Sequence, residues 1–201
     1  MSLKYFVYVG AVNNLSDARY CSAMMVDVIG FDVNEFSLKC LNEEQIKEIS
    51  TWINGVEITG DFENSSKEHI CKFINKNHFS SVMIDIKNHH LLDNLDIDNV
   101  IIKVYDKQYD EDFLSSILDN HENLIKLLVF ESFNNSKYEF IKSLNNNLKI
   151  LVKPLPSLLD TKKMLDKYNL GLYLNGSDEI RPGYKDYDSL SEILEDIEDS
   201  F

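Results

Sequence analysis

The sequence predicts a closed (β/α)8 barrel, and three observations support this fold class. Short runs rich in Val, Ile and Leu alternate eight times with amphipathic helical patterns over 201 residues. The runs are apolar almost throughout, which is typical of parallel strands covered by helices. Eight such units favour a closed barrel over an open doubly wound sheet, which remains the alternative. We expect a single barrel domain over residues 1–201.

The strands are predicted where β-branched and other apolar residues run together without a helical period. They cover residues 4–9, 27–32, 56–62, 81–86, 99–105, 125–131, 148–153 and 170–175.

The helices are predicted from apolar spacing and from N-terminal capping residues. Ser16 is the expected N-cap of the first helix, and Asp17 suits its first turn. Asn42 and Gln45 form a capping-box pattern at the start of the second. The predicted helices cover about 16–25, a segment from residue 42, 65–75, 89–95, 110–119, 136–144, 157–168 and 187–197. The fourth, at 89–95, is the shortest and reads as a short helix or a turn.

The charge balance excludes two classes of partner. Thirty-four acidic residues stand against twenty basic ones, so the net charge is −14. Non-specific nucleic-acid binding and docking on an anionic membrane both need an excess of cations. We therefore expect a protein that binds neither, and no apolar run approaches the roughly 20 residues that span a bilayer.

The cysteines indicate a reducing compartment. Cys21, Cys40 and Cys71 are far apart, and no C-x-x-C pair is present. An odd number of widely spaced cysteines fits reduced thiols better than a disulfide framework or a zinc site. The expected location is the cytoplasm, and the expected assembly is a monomer or a homodimer.

Polar side chains end nearly every predicted strand. Active sites of (β/α)8 barrels lie at this C-terminal end, so we expect these side chains to converge on one mouth. Acids and lysines gathered there can support general acid/base chemistry or hold a divalent cation. Each one alone can also be a charged residue where the chain meets water. The strand-end residues are Asp32, Asp61, Asp85, Lys103, Glu131, Lys153 and Asn175.

Common catalytic and cofactor motifs are absent from the sequence. There is no G-x-S-x-G, H-E-x-x-H, Walker or G-x-G-x-x-G pattern. None of the five histidines follows a predicted strand end at a spacing typical of metal ligands. We therefore expect neither a cofactor nor a resident metal.

Two segments resemble the ends of phosphoribosylanthranilate isomerase. V-Y-V-G-A-V-N-N-L-S-D-A at residues 7–18, followed by V-D-V-I-G-F at 26–31, resembles that family's opening K-I-C-G-I-T-x-x-x-D-A and A-D-x-x-G-F. N-G-S-D-E-I-R-P-G-Y-K-D at residues 175–186 is similar to its closing S-S-G-V-E-x-x-P-G-x-K-D. Order, spacing and total length agree. The resemblance implies a (β/α)8 barrel and an Amadori rearrangement of a phosphoribosyl aminobenzoate in tryptophan biosynthesis, a branch of aromatic amino acid biosynthesis.

The catalytic residues of that family map unevenly onto this chain. Its base, the cysteine of K-I-C-G, corresponds to Val9, which cannot accept a proton. Its acid, an aspartate that ends the sixth strand, corresponds to Glu131. Asp32 or Asp61 is the candidate replacement for the base, because both end strands that lead to the same mouth.

The substrate-binding positions map unevenly as well. The glycine pair after the seventh strand is replaced by Lys153 and Pro154, and Pro154 has no N–H to donate. The arginine that follows the second strand in the family is missing. We expect weak phosphate binding through Lys153 and the backbone of Gly176 and Ser177. The further candidates for substrate contact are Lys103 and Asp85.

Three functions remain open from the sequence. One is an isomerase of a phosphorylated sugar-amine, with Glu131 as acid. Another is a divergent paralogue that binds a phosphorylated metabolite or a protein partner without this chemistry. The third is a metal-dependent epimerase or lyase that uses the acidic mouth.

Overall fold

Eight parallel strands form a closed barrel in chain order. The computed structural model describes residues 3–74, 76, 79–105, 110–132, 140, 143, 148–176, 179–181, 184–185 and 188–198, with only the backbone between 179 and 189. The strands are β1 (Val7–Val12), β2 (Val28–Asp32), β3 (Glu57–Glu63), β4 (Ser81–Asp85), β5 (Val100–Val104), β6 (Ile125–Phe130), β7 (Lys149–Val152) and β8 (Gly171–Asn175).

Closure of the barrel depends on the pairing of its first and last strands. β1 and β8 run parallel, in a register that joins Val7 to Leu172 and Gly10 to Asn175. An open doubly wound sheet has two edge strands and a strand order that departs from chain order, whereas here each strand pairs with the next along the chain and the last pairs with the first. The predicted closed barrel is therefore confirmed, and the open-sheet alternative is wrong.

The helices follow the strands and cover the outside of the barrel. They are α1 (Leu15–Ala23), α2 (Glu43–Ser50), α3 (Lys67–Ile74), a 3-10 helix (Ile86–Asn94), α4 (Glu111–Asn120), α5 (Leu158–Tyr168) and α6 (Asp188–Asp196). The fourth unit, predicted as a short helix or turn, is the 3-10 helix. Most of the helix predicted over 136–144 lies outside the described residues. A short hairpin of β9 (Glu179–Arg181) and β10 (Tyr184–Lys185), which was not predicted, lies between β8 and α6.

Helix starts agree with the capping pattern in one case and differ in another. Asn42 and Gln45 form the predicted capping box, each side chain accepting from the other's backbone N–H. The first helix is capped by Asn14 instead of Ser16, because the Asn14 side chain accepts from the backbone N–H of Asp17 at 2.9 Å. The preference for short polar side chains at this position does not distinguish two candidates that are two residues apart.

The first strand begins three residues later than the sequence predicts. Leu3 forms an antiparallel bridge with Glu198, and the Lys4 backbone N–H donates to the Ile197 carbonyl. These residues therefore pair with the C-terminal part of the chain outside the barrel. At its other end β1 extends to Val12, past Ala11, whose φ of 53° lies in the left-handed region.

The apolar core has two layers because side chains alternate across each strand. The larger layer packs between the strands and the helices and includes Val7, Val9 and Phe31. The smaller layer fills the barrel interior and includes Tyr8 and Tyr173. In the described part of the chain, no helix has the length and apolar character needed to cross a membrane.

Candidate functional site

A buried ammonium lies at the centre of the C-terminal end of the barrel, which we call the mouth. Lys103, at an interior position of β5, has a side chain that is only 5% exposed. Its Nζ lies 2.6 Å from Oε1 of Glu63 and 2.9 Å from Oε1 of Glu131. The same Nζ donates to the Tyr173 hydroxyl at 3.4 Å. A buried charge is tolerated when it is paired in this way.

A second lysine extends this arrangement toward solvent. Lys153, directly after β7, forms an ion pair with Oε2 of Glu131, so both carboxylate oxygens of Glu131 contact an ammonium. We call the series Glu63, Lys103, Glu131 and Lys153 the ion-pair chain. It joins residues at or next to the C-terminal ends of four strands, β3, β5, β6 and β7. The carboxylates neutralise both mouth lysines.

The ion-pair chain keeps its members charged. Burial alone would raise the pKa of Glu131, but Lys153 and Lys103 outweigh it and lower that pKa below its ordinary value. Burial alone would likewise lower the pKa of Lys103. The Tyr173 hydroxyl and the carboxylates of Glu63 and Glu131 instead hold it well above its usual range. At neutral pH, Glu131 is therefore a carboxylate and Lys103 an ammonium.

Asp61 occupies the barrel interior beneath the mouth. Its Oδ1 accepts from the Tyr8 hydroxyl, and its Oδ2 accepts from the Ala11 backbone N–H at 2.7 Å. A Cβ at Gly10 would lie 2.8 Å from Oδ2, and one at Gly30 would overlap the carboxylate. Asp61 thus fills the space that two glycines leave, and it fixes the bend at Ala11.

Burial is the main cause of the raised carboxyl pKa values in the mouth. Desolvation raises the pKa of Asp61 to about 7, although hydrogen bonds from Tyr8 and Ala11 act in the opposite direction. Burial also raises the pKa of Asp85. Repulsion from the Glu63 carboxylate also raises the pKa at both sites but is a smaller contribution than burial, and the Lys103 ammonium offsets part of the shift.

Two of the predicted carboxylates serve the loops that follow their own strands. Asp32 accepts from the Ser37 hydroxyl at 2.6 Å and from the Asn34 backbone N–H at 3.3 Å. Asp85 caps the 3-10 helix by accepting from the Lys87 backbone N–H at 3.0 Å. These contacts organise loops at the mouth, so neither residue belongs to the ion-pair chain.

The backbone donors expected for a phosphate are largely engaged. The Gly176 N–H donates to the Gly10 carbonyl at 2.7 Å, which corrects the expectation that it is available to a ligand. The Leu155 N–H donates to Oγ1 of Thr161 at 2.9 Å, and Pro154 has no N–H. Ser177 lies outside the described residues.

Three interior residues of the site were missed by the sequence analysis. Glu63 lies one residue beyond the predicted end of its strand, although its two-residue step from Asp61 was a usable signal. Tyr8 and Tyr173 pack edge to face below the mouth, with ring centroids 5.4 Å apart. Val9, assigned to the position of the family's base, packs in the outer layer, so a side chain there does not face the mouth.

The described residues contain no cluster of side chains suited to bind a metal ion. No group of three or more His, Cys, Asp or Glu side chains able to hold a metal ion occurs among them. His69 illustrates the other use of histidine here, since its Nε2 lies 2.9 Å from the Val33 carbonyl and its ring packs with Phe62 and Phe73.

Comparison with known proteins establishes the fold. No protein-family model matches the chain, and no curated protein matches it either. Solved structures do match. Phosphoribosyl anthranilate isomerase from Thermus thermophilus has a TM-score of 0.72 at 13% identity and covers 94% of this chain and 96% of that one. The Thermotoga maritima enzyme has a TM-score of 0.69 at 19% identity and covers 96% and 98%.

A ligand complex of such an isomerase is also similar to this chain. It contains reduced 1-(o-carboxyphenylamino)-1-deoxyribulose 5-phosphate and has a TM-score of 0.68 at 18% identity, over 95% of this chain and 97% of that one. The structural likeness predicted from residues 7–31 and 175–186 is therefore confirmed at the level of the barrel. At these identities it does not carry the chemistry, which has to be argued from the site.

Proposed function

We propose that this chain is a barrel of the phosphoribosylanthranilate isomerase type that does not catalyse the isomerisation and binds a phosphorylated metabolite only weakly at its mouth. The observation that carries the proposal is the ion-pair chain, in which both oxygens of Glu131 contact ammonium groups. The acid, the base and the phosphate site of the family are each affected, for different physical reasons.

The acid that the resemblance assigns cannot serve as a proton donor. An Amadori rearrangement needs a general acid that is protonated near neutral pH. Lys153 and Lys103 hold the pKa of Glu131 below its ordinary value, so the carboxyl group carries no proton to give. This removes the role that the sixth strand end supplies in the family.

The base has no clear replacement among the strand-end carboxylates. Val9 has no titratable group, and it packs in the outer layer. Asp32 accepts two hydrogen bonds from its own loop. Asp61 has a pKa of about 7, which suits proton transfer, but its side chain is enclosed by Tyr8, Gly10 and Gly30 and the residue is 3% exposed.

Phosphate affinity is expected to be low for two physical reasons. The Gly176 N–H is already engaged, and one lost hydrogen bond to a charged group costs roughly 1.5–3 kcal/mol. Lys153, 32% exposed, is the cation of the ion-pair chain that reaches furthest toward solvent, and Glu131 neutralises it. A phosphorylated metabolite is therefore a weak ligand here, with Lys153 as its expected contact.

An activity assay and a titration test the proposal together. The purified chain should not convert the N-phosphoribosyl aminobenzoate above the uncatalysed rate. Calorimetric titration with ribose 5-phosphate should give an affinity weaker than micromolar. Lys163→Ala, which removes an exposed lysine of α5, is the matched control for Lys153→Ala. Turnover, or micromolar affinity that Lys153→Ala abolishes and Lys163→Ala leaves intact, would overturn the proposal.

A second candidate is an isomerase in which Asp61 is the general acid and Glu131 is the general base. Environments that separate two carboxyl pKa values mark an acid and a base, and here the pKa of Asp61 is about 7 while that of Glu131 is lowered. In that case, turnover would fall at least about 100-fold in Asp61→Asn and depend on a group that titrates near pH 7. A metal-dependent epimerase or lyase has no supporting side-chain cluster in the described residues.

The proposal also covers the cellular location and the oligomeric state of the chain. Cys21, Cys40 and Cys71 are free thiols, as expected for a cytoplasmic protein. The chain is proposed to act as a monomer or a homodimer, which size-exclusion chromatography with light scattering distinguishes.

A further inference from the structure

A cavity of about 310 Å³ lies at the N-terminal end of the barrel, opposite the mouth, and we call it the lower cavity. Its floor is apolar and consists of Phe6, Val28, Ile101 and Leu127. This volume is within the range of small-molecule pockets, which combine an apolar lining with a few polar groups.

The cavity exists because small and long polar residues occupy the lowest interior layer of the barrel. Bulky branched side chains usually fill such layers. Here Ser81 fills little space, and the long polar Lys149, which pairs with Leu127, stands where a bulky apolar residue is usual. Tyr8 and Tyr173 belong to the interior layer above and close the cavity toward the mouth.

The rim of the lower cavity carries two exposed lysines on neighbouring strands. Lys126 lies next to Leu127 on β6, and Leu127 pairs with Lys149 on β7. The Lys149 Nζ lies 4.1 Å from the centroid of the Phe6 ring, so its charge is held against the apolar floor. Within the described part of the chain, neither ammonium is within ion-pair distance of a carboxylate.

The acidic residue Glu57 also lies on this rim, and it limits the negative charge that a ligand can carry. Glu57 belongs to β3, on the opposite side of the barrel order from β7. Its Oε1 accepts from the hydroxyls of Ser80 at 3.2 Å and Ser81 at 3.1 Å, which ties it to β4. The rim is thus positive on one side and negative on the other. A second negative charge on a ligand would meet Glu57.

We propose that the lower cavity binds a small monoanion with an apolar body, specifically an aromatic carboxylate. Its carboxylate would contact Lys126 and Lys149, and its ring would cover Phe6, Val28 and Ile101. Release of water from the apolar floor supplies the driving force, and the lysines select for the charge. This site is separate from the mouth and does not depend on the function proposed there.

Titration with 2-naphthoate tests the site, with 2-naphthylmethanol as the neutral analogue of the same shape. We expect saturable one-to-one binding of the carboxylate and weaker binding of the alcohol. Lys126→Gln and Lys149→Gln should each weaken 2-naphthoate about two- to fivefold, as for exposed ion pairs. Val28→Phe, which fills the floor, should weaken it at least about tenfold.

Two controls distinguish binding in the lower cavity from binding at the mouth and from loss of the fold in a variant. Lys153→Gln, at the mouth, should leave 2-naphthoate affinity unchanged, and circular dichroism checks that each variant is folded. Methyl NMR of the unmodified chain is independent of any variant, and the signals of Val28, Ile101 and Leu127 should shift. The proposal is overturned by absence of binding, by equal affinity for the alcohol, by shifts confined to the mouth, or by folded variants that bind normally.

Discussion

The two ends of the barrel each carry a pair of lysines. The lysines at the mouth form ion pairs, whereas those at the lower cavity form none with the described residues. At the mouth, Lys103 and Lys153 contact Glu131, and Lys103 also contacts Glu63. At the lower cavity, Lys126 and Lys149 are exposed, and in the described residues no carboxylate lies within ion-pair distance of them.

This difference shows that a count of lysines does not indicate where an anion binds. Removing an ion from water costs several kcal/mol, so an interior lysine requires carboxylate partners that then compete with any anionic ligand. An exposed lysine keeps its hydration and needs no partner. The mouth, where barrels of this fold usually bind phosphate, is therefore the less suitable end for an anion in this chain.

The largest expected effect is on stability, from a substitution at the mouth. Lys103→Ala leaves Glu63 and Glu131 without their buried cation, which should lower the free energy of unfolding by about 3–5 kcal/mol. Urea denaturation measures the change. A loss below about 1 kcal/mol would mean that water reaches the ion-pair chain, and the contrast between the two ends would then disappear.

A second, smaller effect is the pH dependence of stability that the buried Asp61 at the mouth end produces. The folded pKa of Asp61 is raised from 3.8 to about 7, so the folded chain binds this proton more tightly than the unfolded chain. The resulting stabilisation is complete below about pH 4 and is lost as the pH rises through 7. At 1.36 kcal/mol per pKa unit, it amounts to as much as about 4 kcal/mol.

Asp61→Asn should remove this pH dependence, because its amide does not titrate. Urea denaturation between pH 4 and pH 8 should show a flatter profile in the variant than in the unmodified chain. Asp32→Asn, at a strand end that is only partly buried, is the matched control. An unchanged profile in Asp61→Asn would show that the burial of this carboxyl does not govern the pH response.

The smallest expected effect is at the lower end. Lys126→Gln and Lys149→Gln should each change the free energy of unfolding by no more than about 0.5 kcal/mol, since exposed side chains without ion pairs contribute little. The measurement is the same urea denaturation as for Lys103→Ala. A loss above about 1 kcal/mol from either variant would show that these lysines are structural and would weaken the contrast with the mouth.

Local patterns accounted for most of the elements. The capping box of Asn42 and Gln45 and the period of the apolar runs both depend on residues close in sequence, so they were predictable. Boundaries shifted where distant residues pair. The first strand begins at Val7 because the Lys4 N–H bonds to the Ile197 carbonyl, and no local pattern contains that contact.

The composition of the mouth was predictable in the same limited sense. The C-terminal ends of the strands of a (β/α)8 barrel converge on one mouth, and that rule brought Asp61, Lys103 and Glu131 to one end. It did not indicate that both oxygens of Glu131 contact lysines, nor that the Gly176 N–H is used by Gly10. It also did not place Val9 in the outer layer.

The sequence by itself determined the alternation of strands and helices, the number of units and the set of charges at the strand ends, because these depend on local periodicity. Only the tertiary structure decided which charges pair, which amides are engaged and where a cavity remains. Lys103 meets Glu131 across β5 and β6, whereas Lys149 meets the ring of Phe6 at the opposite end. Such contacts depend on strand register and barrel closure, which join residues far apart in sequence.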